Sequence, residues 1–158
     1  RLVNGFFFFV PFVVALSALH QIDSTLVLLL LALIWTADSG GYIVGRAIGK
    51  NKLLPNVSPG KTIEGVVGGT LLSLGAMFIY IHFSFENAAF EQYLFYGVLS
   101  LVTTFASILG DLFESLHKRV AGVKDSGILL PGHGGLFDRI DSLTASAPIF
   151  FLAYSFLT

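Results

Sequence analysis

Residues 26–49 read LVLLLLALIWTADSGGYIVGRAIG. An apolar run longer than about 18 residues has the length and character of a membrane-crossing helix. Asp38-Ser39-Gly40-Gly41 sits close to its middle. An ionisable residue at such a place is costly and is by default a candidate for function. The rest of the chain repeats this pattern of long apolar segments joined by short polar ones. An earlier segment covers about Val3 to Leu19, with Pro11 inside it, and a polar break at Gln21–Thr25 separates the two. After the loop Lys50–Lys61, with Pro55 and Pro59, a third helix is expected to run to about Phe83. The acidic stretch Ser84–Glu91 leads to a fourth from Tyr93, continuing past Gly110 into Asp111-Leu112-Phe113-Glu114, and a fifth is expected over Asp138–Leu157.

Composition agrees. Hydrophobic residues make up 54% of the 158 and charged residues 12%, and mean hydropathy is +0.81, which sets the chain apart from soluble domains. The length accommodates about five spans of roughly 20 residues. The expected fold is therefore all-α: a polytopic helical membrane protein with about five transmembrane helices and one polar site. Residues 1–158 are expected to form a single membrane catalytic domain. The chain starts at Arg1, without methionine, and enters a span almost at once, so it is read as the C-terminal part of a longer protein. Without cysteine, thiol catalysis and disulfides are excluded.

With five alternating spans, all nine Lys and Arg residues fall on one side, and the opposite side holds Asp23, Glu86 and Glu91. The basic side is then expected to be cytoplasmic. The remaining carboxylates (Asp38, Glu64, Asp111, Glu114, Asp125, Asp138 and Asp141) also gather on or near that side, which the positive-inside rule does not require. Divalent metal binding would account for them, because Mg²⁺ is held by one or two carboxylates together with substrate phosphates. Asp138 and Asp141 share one helical face at i, i+3, as do Asp111 and Glu114, with Lys118 one turn further on. Asp111, Asp138 and Asp141 are the expected metal ligands, for Mg²⁺ with room for a second cation. Helix N-terminal charge would explain Asp138 alone, but not the set.

Two loops have the character of phosphate cradles. Gly132-His133-Gly134-Gly135 and Ser58-Pro59-Gly60-Lys61-Thr62 each precede a helix start, where free N–H groups point outward. Plainer readings are loop punctuation for the first and an N-cap with Pro-Gly turn chemistry for the second. The second is not a Walker A loop, because the required glycine spacing is missing. Ser58, Lys61, Thr62, Gly132, His133, Gly134 and Gly135 are the candidate nucleotide-phosphate contacts. Lys118, Arg119 and Lys124 follow a membrane helix directly, at headgroup depth, where a lipid phosphate or plain anchoring could use them. Gly65, Gly68, Gly69 and Gly75 are expected to allow close helix packing. A hydrolytic triad of Ser115, His117 and Asp111 is rejected, because Ser115 and His117 at i, i+2 face apart.

The segments Ser115-Leu116-His117-Lys118-Arg119, Lys124-Asp125-Ser126-Gly127, Leu130-Pro131-Gly132-His133-Gly134-Gly135 and Asp138-Arg139-Ile140-Asp141 together resemble the signature of the phosphatidate cytidylyltransferases, the CDP-diacylglycerol synthases. Ala37-Asp38-Ser39-Gly40-Gly41-Tyr42, Ser58–Gly65 and Gly110–Ser115 resemble that family too, so the likeness covers nearly the whole chain. His117 departs from it, standing where the family usually has an apolar residue. The resemblance implies Mg-dependent transfer of a cytidylyl group from CTP to phosphatidic acid, giving CDP-diacylglycerol and pyrophosphate. It implies catalytic roles for Asp111, Lys124, Asp125, Asp138 and Asp141, and lipid-substrate contacts by Lys118, Arg119 and Arg139. The expected partners are CTP, phosphatidic acid and the bilayer, with a homodimer as an option and no nucleic acid; the expected location is the bacterial inner membrane. Alternatives are a related membrane enzyme that activates an ether-linked archaeal lipid or phosphorylates a polyprenol, and a transporter built on broken helices.

Overall fold

The computed structural model describes residues 2–123 and 140–157. Among the described residues five helices run in the order α1 (Leu2–Ile22), α2 (Ser24–Ile48), α3 (Ile63–Ser84), α4 (Phe90–Val120) and α5 (Asp141–Leu157). Between α2 and α3 lies an antiparallel hairpin, β1 (Lys52–Leu54) and β2 (Ser58–Thr62), pairing Lys52 with Thr62 and Leu54 with Ser58. The protein is an all-α polytopic membrane protein. By length and apolar composition α2, α3 and α4 can each cross a bilayer. Phe9–Ile22 of α1 is a shorter apolar stretch. α5, of 17 residues, is about 25 Å long at 1.5 Å per residue.

Local chemistry fixes where these helices begin. Asp23 caps α2: its carboxylate accepts from the Thr25 amide at 2.8 Å, which holds its pKa below the usual carboxylate value. The break expected over Gln21–Thr25 thus narrows to one capping residue between α1 and α2. Thr62 caps α3 by accepting from the Gly65 amide at 3.1 Å. The segment expected as a loop, Lys50–Lys61, is instead mostly paired backbone. Its base is tied to α3 by Glu64, which accepts from the Asn51 side-chain amide at 2.8 Å, and by the Ile63 amide donating to the Asn51 carbonyl at 2.9 Å.

Glycine decides how closely α2 and α3 approach. A methyl group added at Gly40 would lie 2.9 Å from the Gly68 carbonyl oxygen, and one at Gly65 would lie 2.7 Å from the Gly41 carbonyl oxygen. Gly68 and Gly69 are equally closed, against Val44 and Ala37. Side chains at these points would force the helices apart. Gly75 does not take part: its missing side chain faces open space, so the expectation for it is corrected. Towards the opposite end of the bundle Leu19, Leu30, Leu33, Met77, Ile81, Leu99 and Phe150 form the fully buried core. Trp35 lies on the outside, 65% exposed, as a lipid-facing side chain would.

Candidate active site

The end of the bundle that bears the hairpin encloses a cavity of about 700 Å³. One face of α2 contributes Asp38, Gly41 and Gly45, and the residue after the helix, Gly49, adds to them, the glycines leaving the wall low, with Tyr42 and Arg46 beside them. The hairpin contributes Lys52, Gly60, Lys61 and Thr62, and α4 and α5 contribute Asp111 and Asp141. Residues far apart in sequence meet here because α4 carries its charged half as one unbroken helix. Its first turns are apolar; the stretch from Asp111 to Arg119 extends beyond them towards the hairpin.

Asp111, Glu114 and Asp141 place one carboxylate oxygen each within 4.8 Å of one another. Gly110 makes this possible. A methyl there would lie 2.5 Å from Ala145 Cβ and 3.2 Å from the Asp141 carbonyl oxygen, so only glycine lets the start of α5 sit against α4 at this level. Glu114 is buried, 6% exposed, and Asp111 and Asp141 are half-buried. Three carboxylates this close repel one another unless cations intervene. Two do so: Lys118 pairs with Glu114 at 2.7 Å, one helical turn along α4, and Lys61 reaches from β2 to pair with Asp111. Among the described residues, then, three carboxylates gather against two ammonium groups, an excess of acids. An oxygen-lined, partly buried site with such an excess suits a hard divalent cation, so the residues present fit the expected metal.

The expected site residues separate into groups. Lys61, Thr62, Asp111 and Asp141 line the one cavity. The Thr62 hydroxyl is engaged as the α3 cap and is buried, 4% exposed. Ser58 pairs with Leu54 in the hairpin and does not line the cavity. Lys118 is engaged with Glu114, and Arg119 Nε donates to the Val57 carbonyl at 3.3 Å, fastening α4 to the hairpin. Ser115 donates to Asp111 at 3.4 Å while the His117 ring contacts the Phe113 carbonyl, so the rejected triad is not assembled. Lys124, Asp125, Gly132, His133, Gly134, Gly135, Asp138 and Arg139 lie outside the described residues.

Four residues were not assigned a role from sequence. Glu114 belongs to the carboxylate cluster, and its i, i+3 spacing from Asp111 was the available signal. Asp38, Arg46 and Lys52 all face the cavity. For Asp38 the signal was an acid inside an apolar run. For Arg46 and Lys52 it was masked by the anchoring role that any cation beside a membrane helix can fill.

Comparison with known proteins bears directly on this arrangement. A sequence model described as the Cytidylyltransferase family matches residues 2–157. The chain belongs to that family. It is 46% identical over 166 aligned residues to the phosphatidate cytidylyltransferase of Haemophilus influenzae, covering 99% of this chain and 58% of that protein. With the phosphatidate cytidylyltransferase of Pseudomonas aeruginosa identity is 44%, covering 95% of this chain and 55% of the relative. With that of Bacillus subtilis it is 43%, covering 84% and 48%. The chain thus spans about half the length of the curated relatives it matches. Within this cytidylyltransferase family member, the carboxylates and the cavity lie inside the residues that the family model matches.

Proposed function

We propose that this chain carries the site at which a cytidylyl group passes from CTP to phosphatidic acid, forming CDP-diacylglycerol and releasing pyrophosphate. The observation that carries the reading is the cluster of Asp111, Glu114 and Asp141, with Lys61 paired to Asp111, beside a cavity at the end of membrane helices. The names of the relatives supply the substrate class. The reaction balances simply: a phosphate oxygen of the lipid forms a bond to the α-phosphorus of CTP, and the bond from that phosphorus to the bridging oxygen of pyrophosphate breaks. Nucleophile and leaving group are both anionic, so charge neutralisation and alignment are the main tasks. The phosphomonoester is already ionised near neutral pH, so no general base is required.

Asp111, Glu114 and Asp141 would hold the Mg²⁺, and the proposal keeps Asp138 as a further ligand. When bound, the ion would neutralise phosphate oxygens and favour the leaving group. The chain's own part is to keep three acids converged, to hold Lys61 against Asp111, and to open the cavity at headgroup level. Among the described residues the cations Arg46, Lys50, Lys52, Lys61, Lys118 and Arg119 lie on or next to the elements at the end that bears the site, and the positive-inside rule supports reading that side as the cytoplasmic face of a bacterial inner membrane.

Membranes containing the full chain, incubated with CTP labelled at the α-phosphate, test the reading. Label is expected in the lipid phase with phosphatidic acid and not with an ether-linked archaeal lipid or a polyprenol. Transfer of the α-label to the archaeal lipid alone, or of a γ-phosphate label in a parallel incubation to the polyprenol, would overturn the substrate; no transfer to any lipid would overturn the activity.

A further inference from the structure

Two cations in the cavity have no role in the carboxylate cluster. Lys61 and Lys118 are each neutralised by an acid, Asp111 and Glu114. Arg46 and Lys52 line the same cavity, and among the described residues no carboxylate pairs with either. Arg46 is nevertheless held in place. Its Nη1 donates to the Tyr42 hydroxyl at 2.7 Å, and its guanidinium carbon stands 5.9 Å from the centre of the Tyr42 ring. Because Tyr42 is a neutral partner, it orients the guanidinium without cancelling its charge. Arg46 follows Asp38 by two helical turns on α2, about 12 Å at 1.5 Å per residue, and Gly45 and Gly49 keep the wall between α2 and the hairpin free of side chains. Lys52 enters this end from β1.

An oriented guanidinium and an ammonium facing one cavity, both without acidic partners among the described residues, are complementary to a tetrahedral oxyanion: arginine supplies the fork and lysine the point charge. We propose that Arg46 and Lys52 form a phosphate-binding subsite, separate from the carboxylate cluster, with Tyr42 as the residue that positions Arg46. The subsite rests on the proposed function only for its source of phosphate, which is either the terminal phosphates of CTP or the phosphomonoester of the lipid. Positive-inside anchoring would require neither the Tyr42 bond nor a shared cavity.

The test uses the full chain in detergent micelles, with Arg46→Gln, Lys52→Gln and Arg46→Lys variants whose thermal unfolding matches the parent. Calorimetric titration with pyrophosphate and with inorganic phosphate, without divalent ions, reads the subsite independently of turnover. Each Gln variant is expected to bind one of these anions about tenfold or more weakly, the scale of one lost charge-assisted hydrogen bond, with Arg46→Lys intermediate. Kinetics then identify the source: a raised KM for CTP alone assigns the nucleotide, and a raised KM for phosphatidic acid alone assigns the lipid. If the parent binds the anions through Arg46 and Lys52 but transfers no cytidylyl group to phosphatidic acid, the functional reading fails and the subsite stands. A parent indifferent to both anions, or variants that match it in anion binding and in both KM values, overturn the subsite.

Discussion

The Lys61 ammonium is ion-paired with the Asp111 carboxylate, joining the second strand of the hairpin to α4 across the mouth of the cavity. Both side chains keep about a quarter of their surface exposed, 25% and 29%. The pair therefore lies between two regimes: exposed pairs contribute roughly 0–1 kcal/mol, while breaking a fully buried pair costs about 3–5 kcal/mol. Its position has a further consequence, because the cation that pairs with Asp111 would compete with a metal for the same carboxylate.

Lys61→Met should therefore separate two properties. Removing the ammonium is expected to weaken CTP binding, read as a KM for CTP raised about tenfold or more, the scale of a lost charge-assisted contact. Divalent-ion affinity, followed with Mn²⁺ by electron paramagnetic resonance, is expected to hold or to rise, because Asp111 no longer has a competing cation. Weaker Mn²⁺ binding in Lys61→Met would show that the lysine organises the carboxylates rather than competing for them.

Asp111→Asn and Asp141→Asn preserve shape and remove charge. Activity is expected to fall by two orders of magnitude or more in each, with membrane insertion unchanged, since each loses a ligand and a neighbour to the remaining acids. Glu114→Gln is expected to lose Mn²⁺ affinity as well, and Lys118 loses its buried partner, so its unfolding temperature should also drop. Near-parental turnover of Asp111→Asn at limiting Mg²⁺ would sink the metal assignment.

How far the sequence foretold these features depends on the range of the interactions. The run at 26–49 announced α2, and the uninterrupted passage of α4 through Gly110 into Asp111–Glu114 was legible because nothing there breaks a helix. Asp111 and Asp141 were expected together from their positions at helix ends, and they line one cavity. The hairpin was not foreseen: Pro55, Pro59 and Gly60 read as loop residues, and β2 pairs through backbone whose partners only the tertiary fold defines. Nor could spacing reveal that Gly75 faces open space while Gly68 and Gly69 are closed. All are glycines on one helix, and only the position of α2 distinguishes them. Thr62 illustrates a choice between two readings of one residue: its hydroxyl caps α3, the plainer of the alternatives.

Gly110→Ala tests whether the convergence of the acids depends on helix contact. The added methyl would meet Ala145 and the Asp141 backbone, so α5 must move away from α4 and carry Asp141 out of reach of Asp111 and Glu114. Mn²⁺ affinity and activity are expected to fall together, although no charged group has changed. Gly110→Ala combined with Ala145→Gly should recover part of both, because the second substitution removes the atom that the methyl strikes first. Retained metal affinity in the single variant would show that the cluster tolerates a wider spacing of the two helices.

Gly69→Ala and Gly75→Ala provide a matched pair on α3. At Gly69 the methyl would press on the Ala37 carbonyl of α2, whereas at Gly75 it meets nothing. Overpacking costs typically about 1–3 kcal/mol, and relief of glycine's backbone entropy in a helix contributes up to about 1 kcal/mol in the opposite direction. Gly69→Ala is therefore expected to lower the unfolding temperature in micelles, and Gly75→Ala to leave it unchanged or raise it. The functional consequence should follow the same division. Asp38 and Arg46 reach the cavity from α2, so a shift of α2 against α3 should reduce activity in Gly69→Ala while Gly75→Ala keeps parental turnover. Equal unfolding temperatures in the two variants would contradict the close approach of α2 and α3 at this level.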